Sequence, residues 1–183
     1  MSELEQQVKL QTLNWVQSFI IKYNLCPFAN APVVKSTLRL TVSQAVKKAH
    51  ALEELMTELH FLDEHPSTET TLIVFPDSFK DFYSYLDLVA LAEQLIVQLE
   101  YEGIYQVASF HPDYYFADTD PTDVTNYTNR SPYPMLHILR EESLEKAIAV
   151  YGDTHKIPEK NMAILRDLGL EEIKKIQLNQ QKE

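Results

Sequence analysis

At 183 residues and 45% hydrophobic, the chain can close one sizeable core and is too short for two domains of ordinary size, so one domain over 1–183 is expected. Sixteen basic against twenty-seven acidic residues give a net charge of −11, and no basic run offsets it, which argues against nucleic-acid and anionic-membrane partners. Three glycines cannot build a Gly-rich phosphate loop, and a lone Cys26 excludes an internal disulfide and a multi-Cys zinc cage while suiting a reducing compartment.

Leu4, Val8, Val16, Phe19 and Ile20, with Trp15 beside them, recur every three or four residues and predict an amphipathic helix over 3–24, stopped by Pro27 and Pro32. This start lacks the basic end and apolar centre of a signal peptide, and no apolar run is long enough for a membrane span, so a soluble cytoplasmic protein is expected. Leu38, Leu40 and Val42 alternate with polar residues and predict an edge strand. Ser43 then caps an expected helix carrying Val46, Ala49, Leu52, Met56 and Leu59 on one face.

The apolar run from Thr71 to Phe75 reads as a central strand buried on both faces. Ser78 with Asp81 resembles a capping box for a helix carrying Phe82, Leu86, Val89, Leu95 and Leu99 and ended by Gly103. Ile104 to Phe110 and Met135 to Arg140 read as the third and fourth strands. A helix closed by Gly152, one starting at Pro158 and broken at Gly169, and a polar, fraying tail over 177–183 complete the chain. Strands alternating with helices predict an α/β sandwich with a mixed, mainly parallel four-stranded sheet, the fourth strand antiparallel to the third.

Residues 111–134 match no helix or strand, and so long a loop in a compact domain is usually functional or disordered. Five aromatic residues and four prolines favour an ordered functional loop. Its one cation, Arg130, lies among Asn129, Ser131 and Tyr133, donors suited to a phosphate or carboxylate, and Arg140 adds a second cation beyond them. An internal ion pair from Arg130 to Asp113 or Asp123 is the structural alternative.

His111 and Asp113 flank Pro112 and form a candidate acid–base pair, because a carboxylate beside imidazole raises its proton affinity. His137 shares a strand face with Met135 and Leu139 and reads first as a core histidine. A register placing it opposite His111 would make a metal site with Asp113. Asp118, Asp120 and Asp123 read as turn acids, and Cys26, at a helix end between Leu25 and Phe28, as a covered thiol with nucleophilic chemistry the alternative.

In the blocks Asn24 to Ala29, Phe110 to Tyr114 and Thr128 to His137, followed by Leu139-Arg140-Glu141, the chain resembles the bacterial domain-of-unknown-function 1415 family. The likeness covers nearly the whole chain and includes Cys26, His111, Asn129, Arg130, Ser131, His137 and Arg140; it implies no activity or cofactor. Three functions are therefore expected to compete. One is an enzyme acting on a small anionic metabolite at the 111–134 loop with His111 and Asp113 moving a proton. The second is a noncatalytic module docking a protein through its tyrosines. The third is a metal-assisted hydrolase. The sequence does not set the oligomeric state.

Overall fold

A computed structural model describes residues 2–180; the last part of the expected fraying tail, 181–183, lies outside the described residues, while 177–180 are helical. The first helix, α1 (Glu3–Trp15), is capped by the Ser2 hydroxyl, which accepts the Glu5 N–H at 3.1 Å. The expected single helix over 3–24 widens at Val16–Ile21 into a π-helical segment, where Lys22 N–H reaches back five residues to Gln17. Asn24, at φ 52°, takes the left-handed conformation that ends it, which asparagine tolerates better than most residues. A short α2 (Asn30–Val34) follows, with Pro32 inside its first turn, where a missing N–H costs nothing.

Next come β1 (Leu38–Val42), α3 (Lys48–Glu64), β2 (Thr70–Val74), α4 (Phe82–Gln98) and β3 (Tyr105–Phe110). The chain ends with β4 (Met135–Arg140), α5 (Glu141–Tyr151) and α6 (Ile157–Gln180), whose two helical halves are separated at Gly169, φ 71° and ψ 159°, where the sequence predicts a break. Two helix starts differ from expectation. Ser43 accepts the Ala45 N–H and makes a turn rather than a cap, so α3 begins at Lys48 and leaves Val46 exposed; its fully buried face is Ala51, Leu55, Leu59 and Leu62. At α4 it is Asp81, not Ser78, that caps, accepting the Ser84 N–H at 2.8 Å.

The fold is the expected single-domain α/β type, with strand order β1-β2-β4-β3. β1 pairs parallel with β2, while β4 is antiparallel to both neighbours. Three strands therefore run one way, as the strand–helix alternation predicts, yet β4 inserts between β2 and β3 and leaves one parallel ladder. Insertion buries β2 throughout, which its uninterrupted apolar run requires. On one sheet face α3 and α4 pack Leu55, Leu59, Tyr85 and Leu88 against Ile73, Leu136 and Ile138. On the other, α1, the π segment and α6 pack Val8, Trp15, Phe19 and Leu165 against Leu72, Val74 and Met135. Each such side chain contributes about 1.5–3 kcal/mol by leaving water.

Candidate functional site

The second sheet face is not fully covered. Its rows run Leu38–Thr70–Leu139 and Leu40–Leu72–His137–Ala108 across the strands, and over them lies a cavity of about 490 Å³. Leu38, Thr70, Leu72, His137 and Leu139 form its floor, with the Phe110 ring centred 6.2 Å from the imidazole. Trp15, Val16 and Ile20 supply one wall, Cys26, Phe28 and Ala29 the next. Ala31, Pro32 and Lys35 of α2 and Ser143, Leu144 and Ala147 of α5 bound the remainder. The lining is mainly apolar, with a few polar groups at fixed positions, the usual make-up of a small-molecule pocket. Val16 and Ile20 reach the cavity from the π segment, a form of helix that recurs at functional sites.

On the cavity floor His137 bonds through Nε2 to the Thr70 hydroxyl at 2.7 Å, and that hydroxyl donates its proton to the Ile138 carbonyl. A hydroxyl has one proton to give, so Thr70 accepts from His137 and Nε2 carries the hydrogen. Burial holds the imidazole well below its ordinary proton affinity, at a pKa of about 4, so the ring is neutral at physiological pH with Nδ1 unprotonated. Asn129 also lines the cavity and donates from Nδ2 to the Ser109 carbonyl at 3.1 Å. The Cys26 thiol is half-buried, and burial raises its pKa against the opposing effect of the Phe28 and Ala29 N–H groups.

The structure thus gathers Cys26, Asn129, His137 and the edge of Arg140 at one cavity. The other expected residues lie elsewhere. His111 is 0% exposed, donates through Nε2 to the Phe79 carbonyl at 3.0 Å and accepts at Nδ1 the Asp113 N–H at 3.0 Å. Phe82 and Tyr85 enclose its ring at 5.2 and 5.0 Å. Burial lowers its pKa and outweighs the Phe79 carbonyl and the Asp113 charge, the reverse of the shift expected from the pair. Asp113 offers His111 its backbone, while its own residue surface is exposed. Of the two histidines, the one that reads as the acid–base group is enclosed in the core, and the one that reads as core faces a cavity.

Arg130 forms neither of its expected ion pairs. Its guanidinium bonds to the Tyr114 carbonyl at 2.9 Å and the Pro121 carbonyl at 2.7 Å and lies 4.7 Å from the centre of the Tyr127 ring. Ser131 donates to the Tyr133 carbonyl, and the Tyr133 hydroxyl donates to Gln11. Arg140 spends its guanidinium on the opposite sheet face, on the Leu62 carbonyl in the last turn of α3, the Thr68 carbonyl in the connection to β2 and the Tyr105 hydroxyl. Opposite His137 the register places Ala108, not His111, and among the described residues no three His, Cys, Asp or Glu side chains are placed to share a metal ion.

Within the loop several bonds converge on Asn126, which is 0% exposed: Oδ1 accepts the Phe116 N–H and the Thr119 hydroxyl, and Nδ2 donates to the Asp120 carbonyl. Asp120 accepts the Thr122 hydroxyl and N–H, and Asp123 the Thr125 N–H and hydroxyl, bonds that hold both carboxyls below the usual range, as turn acids do. Thr70, Trp15 and α5 escape sequence reasoning as site components. The face shared by His137 and Leu139 is visible in β4 alone, but which strand lies beside it is not.

No described helix is long and apolar enough to cross a membrane. A family described as "Protein of unknown function (DUF1415)" matches residues 7–175. No curated protein and no solved structure matches the chain.

Proposed function

For this chain, which belongs to the DUF1415 family, we propose that its function is to bind a small, largely apolar molecule in the cavity between the sheet, the Cys26 turn and α5. The observation that carries this reading is the coincidence of an open volume of about 490 Å³, apolar walls, and Cys26, Asn129 and His137 on the lining. A concave, mainly apolar pocket with a few polar groups converging on it is the usual form of a small-molecule site, which supports this reading. The sequence-based alternative, an anion held at Arg130, has less support: that guanidinium staples the loop and does not line the cavity.

Cys26 makes the reading testable because it is the only cysteine and stands on the cavity wall. Alkylation by N-ethylmaleimide is expected to slow several-fold when octan-1-ol is present at millimolar concentration. Ala147→Phe, which places a ring in the same space, is expected to abolish that protection while the protein still unfolds cooperatively. Equal alkylation rates with and without octan-1-ol in the wild-type protein would overturn the proposal.

A second reading, docking of a protein partner, draws on a separate feature. Phe82, Leu86, Tyr114, Tyr115, Phe116 and Ala117 line a second pocket of about 400 Å³, with Phe116 on its lining and neighbouring Tyr83 exposed at 37% and 67%. Loss of a partner on Tyr83→Ser with the octan-1-ol effect intact would assign docking to this face; retention of every partner by that variant removes the second reading.

A further inference from the structure

The polar groups on the cavity floor have little left to donate; other donors of the lining, Lys35 and Ser143 among them, stand at the end of α2 and in α5. Thr70 gives its hydroxyl proton to the Ile138 carbonyl, His137 gives its Nε2 proton to Thr70, and Asn129 commits Nδ2 to the Ser109 carbonyl. What remains on the floor is acceptor capacity: His137 Nδ1, which has no hydrogen-bond partner among the described residues, and Asn129 Oδ1. The Trp15 indole N–H is also without a partner but is closed off from the open space. At the rim Lys35 and Glu69 carry opposite charges, Lys146 is paired with Glu142 at 2.5 Å, and Arg140 is committed to backbone carbonyls.

We infer that the ligand is an uncharged, largely apolar molecule carrying a hydroxyl, an alcohol or a phenol, whose O–H donates to His137 Nδ1. This inference rests on the proposed small-molecule cavity and narrows its ligand class. A carboxylate or an ether brings acceptors to a floor already made of acceptors, and its oxygen would lie against an unprotonated ring nitrogen at the cost of its hydration. A hydroxyl keeps a hydrogen bond in exchange for the one it had with water. The tautomer that makes this possible is fixed from behind by the Thr70–Ile138 relay, just as outer partners fix histidine tautomers elsewhere. Sites built around a hydrogen bond to a hydroxyl reject analogues lacking it more strongly than apolar contacts can.

Three probes of nearly equal size separate the possibilities: octan-1-ol, its isomer 1-methoxyheptane, and octanoate, each titrated against the full chain at pH 7.5. Trp15, the only tryptophan and a cavity residue, reports binding by fluorescence without overlap from any probe. Octan-1-ol is expected to bind about 10-fold more tightly than the ether, the ratio for one hydrogen bond worth ~1.4 kcal/mol, and more tightly than octanoate. His137→Phe is expected to erase the alcohol's advantage and leave the ether's affinity within about two-fold.

A second measurement covers the case in which that variant does not fold. Two-bond ¹⁵N–¹H correlations of wild-type His137 are expected to show a protonated Nε2 and a bare Nδ1, with Nδ1 shifting when octan-1-ol is added. An octanoate affinity above that of the alcohol, equal affinities for alcohol and ether, or an Nδ1-protonated tautomer overturns the inference and leaves the cavity proposal standing. Failure of all three probes to bind overturns the cavity proposal itself.

Discussion

Replacing Arg130 by glutamine separates a loop staple from an anion receptor. In the structure this guanidinium joins two backbone positions seven residues apart, Tyr114 and Pro121, and covers the Tyr127 ring. The bond to Tyr114 is half-buried and charge-assisted, worth about 1.5 kcal/mol at the lower end of such bonds, whereas the exposed bond to Pro121 exchanges with water and is worth ~0.5 kcal/mol. The stacking on Tyr127 adds about 0.5–1 kcal/mol. Arg130→Gln is therefore expected to lower stability by about 2.5–3 kcal/mol, a fall of roughly 1.3–1.5 M in the urea midpoint for an m-value near 2 kcal/mol/M. Urea unfolding followed by Trp15 fluorescence, with and without inorganic phosphate, measures both quantities. An unchanged midpoint together with loss of a phosphate-dependent stabilisation would refute the staple and restore the anion site.

Other consequences are equally direct. His137 has a folded pKa of about 4 against an ordinary 6.5, so the unfolded chain takes up the proton first; its contribution to stability is complete above pH 6.5 and is lost as pH falls toward 4. The loss is about 3 kcal/mol, and His137→Phe is expected to flatten that part of the pH–stability curve relative to wild type; parallel curves contradict the burial argument. Asn126→Ala removes three hydrogen bonds at the loop's hub and is expected to raise amide exchange of Phe116 more than that of the β4 amides; uniform change along the chain contradicts its local role. Cys26 should react with iodoacetate at pH 7 far more slowly than a free thiol and recover the free rate in urea; fast native labelling would show a thiolate that its surroundings do not support.

Much of the fold is legible in the sequence because hydrophobic period and punctuation coincide. The unbroken run of β2, and Gly152 and Gly169 at helix boundaries, each follow from a local requirement for burial or backbone freedom, whereas β1 is half-buried throughout and does not show the wet and dry faces its alternation predicts. Features that depend on a distant partner are not legible. Val46 and Ala45 are both apolar, and only the turn made by Ser43 decides which is buried. Nothing in β4 alone shows that it inserts beside β2, yet that pairing brings Thr70 to His137 and so sets the imidazole's tautomer. The two histidines change places for the same reason. His111 is enclosed by Phe79, Phe82 and Tyr85, residues 26 to 32 positions earlier, whereas His137 lies where the covering helices leave the sheet open.

The cavity's role as a binding site is tested most directly by intermolecular nuclear Overhauser effects between octan-1-ol and the methyl-labelled protein. The account predicts contacts from the alkyl chain to Leu139, Leu144 and Ala147 and from the carbinol protons to the His137 ring. Contacts confined to Tyr115 and Phe116 at the aromatic pocket, or none at saturating alcohol, would contradict it.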